Sequence, residues 1–248
     1  MKVVVLVKDV PAELAQYTAA LTLDRSGESA MSGVDVFAVG EGIRLAAGDD
    51  CVVVTMGPAG AVVTLREALM LGASRAIHVF DEALVGSDAL TTTRILAAVI
   101  EREAADVVLL GRESSDARMG TLAGMVAEVL SWPLLSAVDE LSIGVDATSL
   151  SARRRDDYGT ARVRTTLPAV ASVAEYANSP VEVGARDLER GLTAQIEVLT
   201  AADLGVSPAA SVAAVFEVTT VERVRRHELF TGDPVEYLES LLAESAAS

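Results

Sequence analysis

Short, uninterrupted apolar runs alternate with stretches of helical spacing as far as Trp132. Val3 to Val7 reads VVVLV and predicts a buried central strand, because only strands covered on both faces are continuously β-branched. Asp9 to Gly33 is polar and irregular, with one strand-like piece at Leu21 to Leu23. Asp35 stands where an N-cap is needed for a helix through Phe37, Ile43 and Leu45, which stops at Gly48. Cys51 to Thr55 predicts a second buried strand. Gly57-Pro58-Ala59-Gly60 turns it into a helix through Leu65, Leu69 and Leu71 that ends at Gly72. Ala76 to Phe80 is a third strand, and Ser87 or Asp88 caps a helix through Leu90, Ile95 and Ile100. Val107 to Leu110 is the fourth strand. It stops at Gly111, a polar loop follows from Arg112 to Arg118, and helical spacing resumes at Gly120. Strand and helix in this alternation predict an α/β fold of three layers, with a doubly wound, mostly parallel, Rossmann-like sheet and right-handed crossovers.

The rhythm changes after Trp132-Pro133. Leu141 to Val145, Ser149 to Arg155, Ala161 to Leu167 and Ala169 to Val173 read as strands joined by tight turns, which predicts an antiparallel extension of the sheet. Asn178 to Gln195 has no clear period and reads as a surface excursion. Ile196 to Leu199 is a short strand and Ala201 to Leu204 a helical turn. Ser207 to Val215 reads as a linker. Asp233-Pro234 starts a last helix with Tyr237, Leu238, Leu241 and Leu242 on one face. The expected organisation is an α/β domain over residues 1–205 and a linker with a docking helix over 206–248.

Composition narrows the chemistry. Hydrophobic residues make up 51% of the 248 positions and aromatics 4%, so the core is built from Val, Leu, Ile and Ala. The formal net charge of −16 argues against nucleic acid or an anionic membrane as partner. One cysteine excludes an intramolecular disulfide and a cysteine metal cluster; Cys51 reads as a small buried hydrophobe. The opening apolar run is too short for a signal peptide, and none approaches the ~20 residues of a membrane span, so a soluble cytoplasmic protein is expected.

The segment Val107 to Trp132 carries the most chemistry. A buried strand feeding a polar loop and a helix N-terminus is where α/β proteins bind phosphate, because the first helical N–H groups lack partners and the dipole favours an anion. Ser114, Ser115, Asp116 and Arg118 add side-chain donors and charge. An ordinary βα loop with a capping aspartate has the same spacing. No GxxxxGK[ST] loop is present, and Gly40-Glu41-Gly42 is a lone GxG inside a helical pattern. His78 and His227 have no nucleophile nearby in sequence, and nothing supplies a base for a serine hydrolase built on Ser114-Ser115-Asp116. Arg153-Arg154-Arg155 reads as a solvated strand edge or, more sharply, as a patch for an acidic partner.

Several short motifs, weak singly, are specific in their order. VVVLVKDVP with Lys8, TMGPAGAVVTLREALMLGASRAIHV over Thr55 to Val79, GSDAL over Gly86 to Leu90, LLGRESSDARMG followed by LSWP, LPAVASV over Leu167 to Val173 before Asn178 and Pro180, ADLGV over Ala202 to Val206, and GDPVEYLESLL over Gly232 to Leu242 follow one another along the whole chain. Together they resemble the β subunit of electron transfer flavoproteins, including the FixA type.

The resemblance implies a non-enzymatic electron-carrier subunit. It would pair with an α subunit whose FAD moves electrons from a dehydrogenase donor to a quinone-reductase-type acceptor, and would itself hold AMP as a structural element. In the electron-bifurcating branch that site holds a second FAD. Carried over by position, the nucleotide contacts are Leu6, Lys8, Ser32, Gly33, Val34, Asp35, Met56, Gly111, Arg112, Ser114, Ser115, Asp116, Ala117, Arg118, Met119, Gly120, Thr121 and Leu122. The family's Asn-Pro-x-Asp is here Ser32-Gly33-Val34-Asp35. Its Asp-Gly-x-Thr-Gly-Gln is Asp116-Ala117-Arg118-Met119-Gly120-Thr121, and its lysine-rich recognition run is Arg190-Gly191-Leu192-Thr193-Ala194-Gln195. The lost lysines imply poor service of the common acyl-CoA dehydrogenases. The alternatives are a stand-alone adenine-nucleotide-binding sensor or stress-type protein on the same fold, and an adenylate-forming or ATP-splitting enzyme. The last lacks a pyrophosphate loop after the first strand.

Overall fold

A computed structural model of the chain describes residues 1–12, 17–18, 21–179, 181–209, 211–212, 217–219 and 232–239. It divides into two units, residues 1–216 and 217–248, each taken by itself.

In the first unit, the β-branched runs form the parallel strands β1 (Val3–Leu6), β4 (Cys51–Met56), β5 (Arg75–Val79) and β6 (Val107–Gly111). A nine-stranded sheet runs β11-β5-β4-β1-β6-β10-β7-β8-β9. Its remaining strands are β7 (Leu134–Ile143), β8 (Ser149–Asp156), β9 (Gly159–Thr166), β10 (Ala169–Val173) and β11 (Ile196–Leu199). From β1 the chain steps through α1 (Asp35–Ala46), β4 and α2 (Val62–Leu71) to β5. It then crosses back through α3 (Ala89–Glu103) to lay β6 on the other side of β1, and continues through α4 (Leu122–Leu130) to β7. Helices α1 and α2 cover one face with Val3, Val5, Ala38, Leu65 and Leu69. Helices α3 and α4 cover the other with Val4, Leu6, Ile95, Ile100 and Val126. Reversal of strand order between β1 and β6 opens a crevice beyond their carboxyl ends, the position at which doubly wound sheets take ligands.

The caps follow the sequence in part. Asp88 accepts the Thr91 N–H at 2.8 Å and starts α3; Gly72, at φ +122°, ends α2. Asp35 does not cap α1. It is the first helical residue, and its carboxylate turns away to the strands, so the helix begins without a side-chain cap.

Several expectations are corrected by pairing. Only β7, β8 and β9 form the antiparallel extension. Ala169–Val173 returns to lie parallel between β6 and β7, because its five buried residues need cover on both faces. Strand β7 starts at Leu134 rather than Leu141, and helix α4 at Leu122 rather than Gly120. The arginine run lies on β8, an interior strand; β9 is the edge. The irregular stretch after β1 contains a small hairpin of β2 (Asp9–Pro11) and β3 (Ser29–Met31), while Leu23 makes only an isolated bridge to Tyr17. Within the expected surface excursion, Ala185–Thr193 is helix α5. It is mostly polar and attaches by its arginine rather than by an apolar stripe. Arg190 donates to the Leu69 carbonyl at the end of α2 at 3.0 Å, and Arg66 of α2 returns the contact to the Gly191 carbonyl at 2.8 Å.

In the second unit, residues 234–239 are helical, and Asp233 accepts the Val235 N–H at 2.8 Å as the expected first cap. Leu241, Leu242 and His227 lie outside the described residues. Among the described residues no helix is long and apolar enough to cross a membrane.

Close approach of α1 to the sheet depends on Gly42, where a Cβ would meet Val5 Cγ2 at 2.5 Å. Gly42→Val is expected to lower stability by about 1–3 kcal/mol through overpacking. Urea denaturation checks this, with the midpoint falling at constant slope.

Candidate functional site

At the crevice, Leu6 is buried at the end of β1 with its side chain in the α3–α4 core, and the chain then turns outward through Lys8. Three segments meet there: Lys8 after β1, Ser32 to Asp35 entering α1, and Gly111 to Ser115 leaving β6. Asp35 joins them. Its Oδ2 accepts the Lys8 N–H at 2.8 Å and its Oδ1 the Gly111 N–H at 3.0 Å. A side chain at Gly111 would drive its Cβ into Asp35 Oδ1, so only glycine fits the clasp.

Serines continue the junction. Ser32 Oγ accepts the Ser115 N–H at 3.2 Å, and the two hydroxyls lie 3.2 Å apart. The Gly33 N–H reaches Ser115 Oγ at 3.4 Å. From β1, Lys8 Nζ donates to Asp116 Oδ1 at 2.7 Å and to Ser114 Oγ at 3.3 Å. Asp116 also accepts the Ala117 N–H at 2.7 Å. Burial works against its charge, but the Lys8 ammonium and the Ser114 hydroxyl outweigh it and hold its carboxyl below the usual range. Burial likewise opposes Asp35 and here prevails. Two N–H donors and Lys8 pull the other way, yet the carboxyl is pushed up to about 7.

The rest of the loop is open. Ala117, Arg118, Met119, Gly120 and Thr121 are exposed. Arg118 at φ +50° and Gly120 at φ +63° use left-handed backbone to reverse the chain before α4. Helix α4 has no side-chain cap. The Thr121 carbonyl takes the Met125 N–H at 3.1 Å, but the Thr121 hydroxyl covers none of the N–H groups of the first turn, which begins at Leu122. The structure therefore gathers Lys8, Ser32, Gly33, Asp35, Gly111, Ser114, Ser115 and Asp116 into one hydrogen-bonded unit. Arg112 is apart: its N–H goes to the Val173 carbonyl of β10 and its guanidinium lies 3.7 Å from Glu113. Val34 is buried behind the α1 entry, and Met56 packs at the end of β4 against the α3–α4 core.

Two residues at the crevice lacked any sequence signal. Arg25 approaches Asp116 at 3.8 Å and Asp9 at 4.0 Å, and donates to the Asp9 carbonyl at 2.9 Å. Asp9 is buried and accepts from Thr64 of α2 at 3.0 Å. Both belong to the β2–β3 region, whose hairpin has no apolar period to reveal it. Among the described residues no group of acidic, histidine or cysteine side chains could hold a metal ion.

Comparison with known proteins agrees with this architecture. The model of the electron transfer flavoprotein domain matches residues 20–204. The chain is 33% identical to the electron transfer flavoprotein subunit beta of Methylophilus methylotrophus, over 86% of this chain and 81% of that one. With the subunit beta of Thermoanaerobacterium thermosaccharolyticum it shares 30% identity over 98% and 96% of the two chains. With protein FixA of Azorhizobium caulinodans it shares 28% identity over 90% and 84%.

The raised Asp35 carboxyl gives stability a pH dependence of definite sign. Between its ordinary 3.8 and about 7 the unfolded chain releases this proton while the folded chain keeps it. Stability therefore falls as pH rises through that window and levels off above it. Asp50 and Asp116, held low, titrate below the window. Urea midpoints at pH 5 and pH 8 should show the fall in the wild type and a much smaller one in Asp35→Asn. Equal falls would contradict the assignment.

Proposed function

The chain belongs to the electron transfer flavoprotein family, and from that premise we propose that it is the β subunit of a heterodimeric electron carrier, holding AMP at the β1–β6 crevice. The observation that carries the reading is the clasped loop. The uncapped first turn of α4 and the Lys8 ammonium flank one polar loop at the switch point of the sheet. Donors of this kind fit a phosphate: backbone N–H groups along a helix dipole, the Ser114 and Ser115 hydroxyls, and the exposed Arg118 guanidinium.

On this reading Leu6, Met56 and the Ser32–Asp35 entry line the base and sugar side. Gly111 through Leu122 line the phosphate side. Asp116 keeps Lys8 in place and removes part of its charge, which leaves Arg118 as the cation free to meet the phosphate. The departures at Met119 and Thr121 remove a hydroxyl and an amide that the family commonly has, and Arg118 compensates in kind. An α subunit binds the FAD that supplies the redox chemistry. On this reading the residues of this chain orient the adenylate and brace the flavin-bearing partner. A dehydrogenase donor and a quinone-reductase-type acceptor complete the chain of transfer.

The test is to co-express the chain with an α subunit, denature the purified complex and quantify the released nucleotides. One AMP per FAD is expected. Two FAD and no AMP would overturn the structural-AMP reading in favour of a bifurcating carrier. Adenine nucleotide on this chain without any stable complex would favour the stand-alone binder. In the complex, Arg118→Ala should weaken AMP by about tenfold or more, the value of one charge-assisted hydrogen bond. Equilibrium dialysis with labelled AMP measures it.

A further inference from the structure

Within an acidic chain, strands β8 and β9 of the antiparallel extension are rich in arginine. Side chains alternate along a strand, so Arg153 and Arg155 of β8 share one face with Arg162 and Arg164 of β9. The register sets Arg153 opposite Arg162, Ser151 opposite Arg164 and Arg155 opposite Thr160. Carboxylates on β7 answer only part of this charge. Arg153 reaches Asp139 at 2.9 Å and Glu140 at 3.0 Å, and Arg155 shares Asp139 at 3.7 Å while remaining 67% exposed. Arg164 donates to the neutral Ser149 hydroxyl at 2.7 Å, close to Asp146 in the β7–β8 turn. Arg162 is exposed and has no anionic partner among the described residues.

This arrangement is costly within the sheet. Like charges directly across a strand pair destabilise it, and Arg162 faces Arg153. Arg162 lies on the edge strand β9, where a charge discourages the addition of another strand. A single cation of either neighbour would serve that end without setting two guanidinium groups opposite each other. An anion from outside would make use of the cation at 162.

We propose that this arginine face docks an acidic surface of the α subunit. The inference rests on the heterodimer reading above. Arginine suits the task because its planar fork meets a carboxylate with two parallel hydrogen bonds. A second copy meeting the same face would be repelled, and the chain's net charge of −16 opposes a nucleic acid.

Arg162→Glu separates docking from structure. It replaces the like-charge pair with an opposite pair, so the urea midpoint of the variant chain should be unchanged or higher. Its affinity for the α subunit at low ionic strength should nonetheless fall about tenfold or more, with a flatter dependence on salt. Arg162→Gln should fall between the two. Sedimentation or titration calorimetry of the wild-type and variant complexes measures this. Equal affinity and equal salt dependence in wild type and Arg162→Glu would overturn the inference and leave the heterodimer intact. Failure of the wild type to associate at all would overturn the heterodimer reading itself. Retention of a DNA duplex by the wild type, lost in the variant, would assign the face to nucleic acid and overturn the protein-docking inference.

Discussion

Asp35 binds three pieces of chain that are distant in sequence: the exit of β1, the start of α1 and the exit of β6. Its two oxygens each take one backbone N–H that the parallel ladder leaves unpaired at the strand ends. Buried N–H groups without partners are costly, so the carboxylate is well satisfied even though burial opposes its charge. The geometry of the crevice follows from it. Gly111 must be glycine because the carboxylate occupies the space of a side chain, and Ser32 is brought to Ser115, so the loop after β6 leaves in one direction.

That fixed departure is what turns a βα loop into a candidate anion site. Lys8 is held over Asp116 and Ser114, the left-handed residues Arg118 and Gly120 reverse the chain, and α4 begins without a side-chain cap. Charge is distributed by the same economy of contacts. At the crevice Lys8 and Arg25 are matched by Asp116 and Asp9, whereas on the β8–β9 face Arg153 and Arg155 share Asp139 and Glu140 and Arg162 has no anionic partner among the described residues.

The parallel core was legible because strands buried on both faces cannot hide their composition. Val3–Leu6, Cys51–Met56 and Val107–Gly111 read as continuous apolar runs, and the helices between them keep their period and their glycine stops. Elements held by polar contacts were not legible. Helix α5 is attached through Arg190 and Arg66 to backbone carbonyls, a contact that leaves no apolar stripe. Asp35 stands at the mouth of α1, where the sequence predicts a cap, but its partners, Lys8 and Gly111, are joined to it only by the folded sheet. The loop after Gly111 shows in the sequence its polarity and its position between a buried strand and a helix. Arg25 and Asp9 entered the crevice from a hairpin that only tertiary packing defines. The arginine run showed its charge but not its place, because an interior strand and an edge strand differ only in their neighbours.

The account stands on the Asp35 clasp, and amide hydrogen exchange of the Lys8 and Gly111 N–H groups tests it most directly. In the wild type both should exchange as slowly as the core amides of β1 and β6. In Asp35→Asn, which can accept from only one of them without turning a donor toward the other, at least one should exchange far faster while β4 and β5 keep their protection. Rapid exchange of both amides in the wild type, at the rate of the exposed loop 117–121, would contradict the clasp and the site geometry built on it.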